Sequence, residues 1–234
     1  IFDVWLGQLT RVVMIGSYLA VLLGAYRVLL EVLQMHLGAD RPASGWVVLF
    51  VLNAGLGTTV FFLGSRAYVY HEAILVGVAF AVWACWCALR HLQASEGRWW
   101  LGSLLCGMLS VHARPPTGLF ALTFLGCAAV ALAWRERKLP SLAGRHLAIG
   151  TAAVLGVLSF NGLSYLKFKT FEGAPLRLSV QYDAARLARI DDRQFHAANI
   201  PIGVHHYFVA PNLLIEPRFP FLFLNISKPG PEFS

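Results

Sequence analysis

Apolar residues in this chain recur in runs of about 17 to 22, the length a helix needs to cross roughly 30 Å of hydrocarbon. That pattern makes the bilayer the solvent and sets the fold class as all-α, a polytopic bundle of transmembrane helices. Composition agrees. The chain is 57% hydrophobic and 13% charged, with a mean hydropathy of +0.62, where soluble proteins average roughly 45–50% apolar and about 25% charged. A water-soluble fold of 234 residues could not hide that much apolar surface.

About six spans are predicted, over residues 12–33, 46–63, 73–89, 99–111, 118–134 and 147–166. The fourth is short, and Pro115 and Pro116 stop it, since proline removes an amide donor and disfavours helix in the residue before it. The fifth span should then begin at once. Short polar links at 34–45, 64–72, 90–98 and 135–146 favour antiparallel neighbours. Gly16, Gly24, Gly55, Gly57, Gly102, Gly107, Gly150 and Gly156 should allow close helix approach. The expected division is a bundle over residues 1–166 and an extracytoplasmic or interfacial segment over 167–234. In that segment Asp183 could cap a short amphipathic helix over 181–198, and 202–215 reads as interfacial or re-entrant. A start at Ile1 and a Pro- and Phe-rich end read as a piece of a longer chain, so the lack of a signal peptide excludes nothing.

The formal charge of +7 does not point to nucleic acid. The basic residues sit at the ends of apolar runs, where topology explains them. Arg41, Arg90, Arg98, Arg135, Arg137, Lys138 and Arg145 fall on one side, and Arg11, Arg66, Arg114, Lys167 and Lys169 on the other. The first side is expected to be cytoplasmic. Cys85, Cys87, Cys106 and Cys127 all lie in apolar spans, where they act as small hydrophobes and imply neither disulfides nor zinc.

Two span junctions on the second side carry chemistry-bearing residues. One crowds Arg66, Tyr68, Tyr70, His71 and Glu72 at a water–lipid boundary, where ionisable groups raise a functional hypothesis. The same residues also suit a plain interface: Glu72 favours a helix start, Arg66 snorkels, and the tyrosines join an aromatic belt. The other junction runs from His112 through Arg114 to Thr117. A guanidinium beside a helix N-terminus is a good phosphate site, or simply ends a span. His71, His112, His196, His205 and His206 map to this side, but without paired carboxylates at ligand spacing they predict no metal site. Arg27 and Glu31, four apart in the first span, are expected to pair.

The order of features from Asn53 to Lys138 resembles the middle of the bacterial C-type glycosyltransferases, membrane enzymes that use polyprenyl-phosphate sugars. The resemblance lies in Ser65-Arg66 followed by Tyr70-His71-Glu72-Ala73, in the basic turn from Arg90 to Arg98, and in Gly107 to Thr117 followed by an apolar helix and Arg135-Glu136-Arg137-Lys138. It covers about a third of the chain with degenerate motifs. It implies transfer of a sugar from a lipid carrier at the extracytoplasmic face of a bacterial inner membrane. Glu72 then falls on the family's second-loop acid and Arg114 on the cation before its Pro/Thr break. Arg66, Tyr70, His71, His112 and Thr117 complete the substrate-binding set. The family's principal acid sits in the first extracytoplasmic loop, and Asp3 is the acid in the corresponding region. The partners implied are membrane lipid and the polyprenyl-phosphate sugar donor. A divalent cation is compatible with the chemistry, though no residue set identifies one. Read without the resemblance, the residues leave open a transporter and a non-catalytic multi-pass subunit.

Overall fold

The computed structural model describes residues 2–38, 44–65, 69–136, 139–171, 213–215 and 222–224. These divide between two compact units, Ile1–Phe171 and Glu172–Ser234. The first is wholly helical among its described residues: α1 Phe2–Leu37, α2 Ser44–Leu56, α3 Thr59–Ser65, α4 Val69–Ala94, α5 Gly97–Ala113, α6 Pro115–Glu136 and α7 Leu139–Phe168. In the second, β1 Leu213–Ile215 pairs antiparallel with β2 Leu222–Leu224, Leu213 opposite Leu224. The expected amphipathic helix over 181–198, and most of the stretch 202–215, lie outside the described residues.

Among the described residues four helices are long and apolar enough to cross a membrane, and five spans result if α2 and α3 count as one broken span. The expectation of six was higher because α5 was included. At 17 residues that helix is about 25 Å long, short of a full crossing. Leu19, Trp46, Leu101, Phe120, Leu147 and Leu166 stand exposed on the helix surfaces, as lipid-facing side chains do. The unit is a membrane-embedded helical bundle.

Local chemistry sets where the helices stop. Arg114, whose backbone is extended, ends α5, and Pro115 opens α6, so the fifth apolar run begins at once, as expected. Proline is at home in a first helical turn, and the residue before it is pushed out of the helical region. The α2–α3 break, a 55° bend, falls at Gly57 and Thr58. The Thr58 hydroxyl donates to the Ala54 carbonyl at 2.7 Å and accepts the Val60 amide at 3.3 Å, so one side chain serves both helix ends. Ser95 closes α4 with a φ of 55°, its amide bonding the His91 carbonyl at 2.9 Å.

Helices that pack side by side are parallel in some pairs and antiparallel in others. Trp83 Nε1 donates to the Ala20 carbonyl and Arg90 reaches Glu31, which makes α1 and α4 parallel. Gly102 lies on Cys87 while Ser110 reaches Gly77, which makes α4 and α5 antiparallel. An alanine stripe joins α4 to α6: Ala81, Ala84 and Ala88 pack on Ala121, Leu125 and Ala128, all buried. Small side chains let the two backbones approach, which is how helices gain van der Waals contact in lipid. A second cluster, Met14 and Val21 with Leu75 and Ala79, joins α1 to α4. Gly24, Gly102, Gly107 and Gly156 do face close neighbours, but Gly16 and Gly150 face open space. The bundle therefore has two ends. Glu72, His112, Arg114, Lys167 and Lys169 lie at one, and Glu31, Arg90, Arg98, Arg135 and Arg145 at the other.

Candidate functional site

The first end contains the predicted residues whose side chains are described. Arg114, Thr117 and Ser110 form a knot where α4, α5 and α6 meet. The Ser110 hydroxyl donates to the Gly77 carbonyl at 2.9 Å, and the Thr117 hydroxyl donates to the Arg114 carbonyl at 2.8 Å. Ser110 is fully buried, so its hydroxyl needs that partner. A Cβ on Gly77 would collide with Thr117 Oγ1 and touch Arg114 Cβ at 3.4 Å. Only a glycine leaves room for this junction.

The helix start beside Arg114 offers less to an anion than its sequence suggests. Pro115 and Pro116 have no N–H, and the Gly118 amide bonds the Arg114 carbonyl at 3.1 Å. Thr117 alone is left to offer an amide from the first turn, where an ordinary N-terminus offers several. Any phosphate affinity here rests chiefly on the Arg114 guanidinium.

The two histidines face other neighbours. His112 Nδ1 lies 2.8 Å from Ser159 Oγ on α7. Ser159 donates its own proton to the Gly156 carbonyl at 2.9 Å, which leaves its oxygen to accept from Nδ1–H. The His71 ring sits 5.6 Å from the Phe62 ring of α3, tilted by 55°. Glu72 occupies the first turn of α4 and is half-buried, and a carboxylate there is favoured by the helix dipole. It is five residues before Gly77, so it projects about 140° around the helix from the glycine that Arg114 abuts. Glu72 and Arg114 thus share an end of the bundle, but Arg114 packs on a different face of α4 from the one that carries Glu72.

Asp3 lies within α1, where the resemblance implied a loop. The α1 helix extends about three turns further toward the N-terminus than its apolar run. Tyr70 belongs to α4, but its side chain, like those of Asp3 and Arg66, lies outside the described residues. Among the described residues no group of three or more His, Cys, Asp or Glu is placed to hold a metal ion.

No protein-family model, curated protein or solved structure matches the chain.

Among the described residues a second polar cluster lies at the other end. Glu31, only 5% exposed, pairs with Arg90 at 3.1 Å, corrected from the expected Arg27. It also accepts from Trp86 Nε1 at 3.3 Å, and its carbonyl accepts from Gln93 Nε2 at 3.0 Å. Arg27 instead lies over the Trp86 ring at 6.0 Å. The Trp99 ring takes Arg90 at 5.6 Å and Arg98 at 5.3 Å and meets Trp86 edge-on at 5.1 Å. The signal was present, since Trp86, Arg90 and Gln93 recur at helical spacing along one stripe of α4.

Proposed function

We propose that the chain is the membrane part of a C-type glycosyltransferase-like enzyme of the bacterial inner membrane, acting on a polyprenyl-phosphate sugar at the extracytoplasmic face. One observation carries the reading. Glu72 and Arg114, more than forty residues apart in the chain, come to one end of the bundle, the acid at one helix start and the cation beside another. In the transfer, Glu72 takes the proton from an acceptor hydroxyl as that oxygen bonds the sugar's anomeric carbon. The bond from that carbon to the carrier phosphate breaks, and the departing polyprenyl phosphate keeps the electron pair beside Arg114. General-base catalysis of this kind contributes typically 10²–10⁴-fold. Glu72 is the one carboxylate with a described side chain at this end.

The test is sugar transfer from a polyprenyl-phosphate donor by the chain in membranes. Glu72→Gln should cost about a hundredfold or more in rate at unchanged expression. Arg114→Ala should weaken donor binding about tenfold, as loss of a charged hydrogen bond does. Full activity in Glu72→Gln would remove the acid from the mechanism and this reading with it.

The broken α2–α3 span favours a second reading, a transporter, because interrupted helices also build substrate sites at membrane depth. Solute uptake by proteoliposomes without a lipid-linked sugar would distinguish it.

A further inference from the structure

We infer that the groove along α1, α4 and α5 holds an anionic glycerophospholipid, its acyl chain beside Gly16 and Phe80 and its phosphate among Arg27, Arg90 and Arg98.

The groove has a volume of about 490 Å³, and its walls include Val13, Gly16, Ala20, Phe80, Trp83 and Cys106. It is open at Gly16, where an added Cβ would meet nothing within 4 Å. All three walls continue to the polar cluster by the same step. Ala20 to Arg27, Trp83 to Arg90 and Cys106 to Trp99 are each seven residues, two helical turns on one face, or about 10 Å. The face that each helix turns to the groove therefore carries, two turns further on, a residue of one group of guanidiniums and indoles. A phospholipid has the matching division of apolar chain and charged head.

The charges favour an anion. Three arginines meet two carboxylates, Glu31 held by Arg90 and Glu96 held by Arg98. Arg27 pairs with no carboxylate among the described residues. It is exposed, with its guanidinium over Trp86 at 6.0 Å. Its Cα lies about four residues deeper along α1 than Glu31, where an uncompensated cation is costly and an anionic head group is a natural partner. Arg98 is 73% exposed at its side chain and Arg90 37%, so both can reach an incoming phosphate. Arg90 Nε and Trp99 Nε1 also have no acceptor among the described residues. The cluster holds more donors than the chain's own acceptors take up. Trp86 and Trp99 suit the head-group depth. The arginine cluster lies at the opposite end from Glu72 and Arg114, and the inference does not depend on the reading proposed there.

The experiment uses the full chain in detergent micelles, with phosphatidylglycerol brominated on its acyl chain as a quencher of tryptophan fluorescence. Brominated phosphatidylcholine is the comparison. Phosphatidylglycerol should quench at a lower mole fraction than phosphatidylcholine. Arg27→Gln should raise that mole fraction on the order of fivefold, and Arg27→Lys should restore it. Gly16→Leu, which has room for its side chain, should remove the groove-dependent quenching while leaving helicity and Tm unchanged. Equal quenching by the two lipids, or an unaltered Arg27→Gln, would overturn the assignment. Displacement of the brominated lipid by millimolar inorganic phosphate would also overturn it, showing a free-anion site. Disulfide trapping of two copies through Gly16→Cys would give the groove to a second copy of the chain, with the same consequence.

Discussion

Glu31 on α1 and Arg90 on α4 meet at 3.1 Å, two helices apart in the chain and side by side in the bundle. The carboxylate is buried to all but 5% and also takes the Trp86 indole proton. An amide in its place keeps one acceptor oxygen for these two donors and loses the charge. Glu31→Gln should therefore lower stability by about 2 kcal/mol, the scale of a charge-assisted hydrogen bond left unmade. Replacing Arg90 as well should cost less than the two single changes summed, since partners in one network are not additive. Reversible unfolding in mixed micelles would measure both. Additive losses would mean that the two side chains act independently.

Gly77 is the tightest small-residue position in the α4–α6 interface. Gly77→Ala should cost about 1–3 kcal/mol, the usual penalty for overpacking, because its methyl group collides with Thr117 Oγ1. Gly16→Ala, with open space beyond it, serves as the neutral comparison. Thermal melting of the two variants in one detergent would decide, and equal melting temperatures would contradict the described junction.

Ser110→Ala should cost on the order of 0.6–1.7 kcal/mol, the range for hydrogen bonds between membrane helices, because the Gly77 carbonyl loses its donor. His112→Ala should cost a similar amount through Ser159 on α7. The two changes touch different helix pairs, so their double variant should lose close to the sum. A double variant no worse than either single would show that the junctions are coupled.

Sidedness follows from the proposed function. Ser65→Cys, at the Glu72 end, should be labelled from outside intact cells in a background free of the native cysteines. Ala94→Cys, at the Arg90 end, should be protected. The reverse pattern would put Glu72 and Arg114 in the cytoplasm and remove the extracytoplasmic reaction.

The long spans were legible because each carries its own signal: apolar length for α1, α4, α6 and α7, and the Pro115–Pro116 stop between α5 and α6. The partner of Glu31 was not legible. Arg27 at i−4 was the nearest cation in sequence, and only the parallel packing of α1 on α4 brings Arg90 closer. The Ser110–Gly77–Thr117 knot was hidden for the same reason, since serine and threonine in an apolar run look like any small residues until a neighbouring backbone supplies the acceptor. Of the candidate site, the end of the bundle could be read from span order. The faces could not, because a one-residue shift in a helix start turns every side chain by about 100°.

The Arg135 guanidinium donates to the Leu92 carbonyl at 2.6 Å and to Ser95 Oγ at 3.3 Å, closing the last turn of α4 from the end of α6. Leu92 and Arg135 are 43 residues apart in the chain. At about 5–20 residues per second of synthesis, several seconds pass between the emergence of α4 and the arrival of the group that closes it. During that interval the end of α4 has only water or lipid head groups for its free carbonyls. A ribosome pause just before residue 135 would lengthen the time in which a chaperone or a quality-control protease could engage the nascent chain.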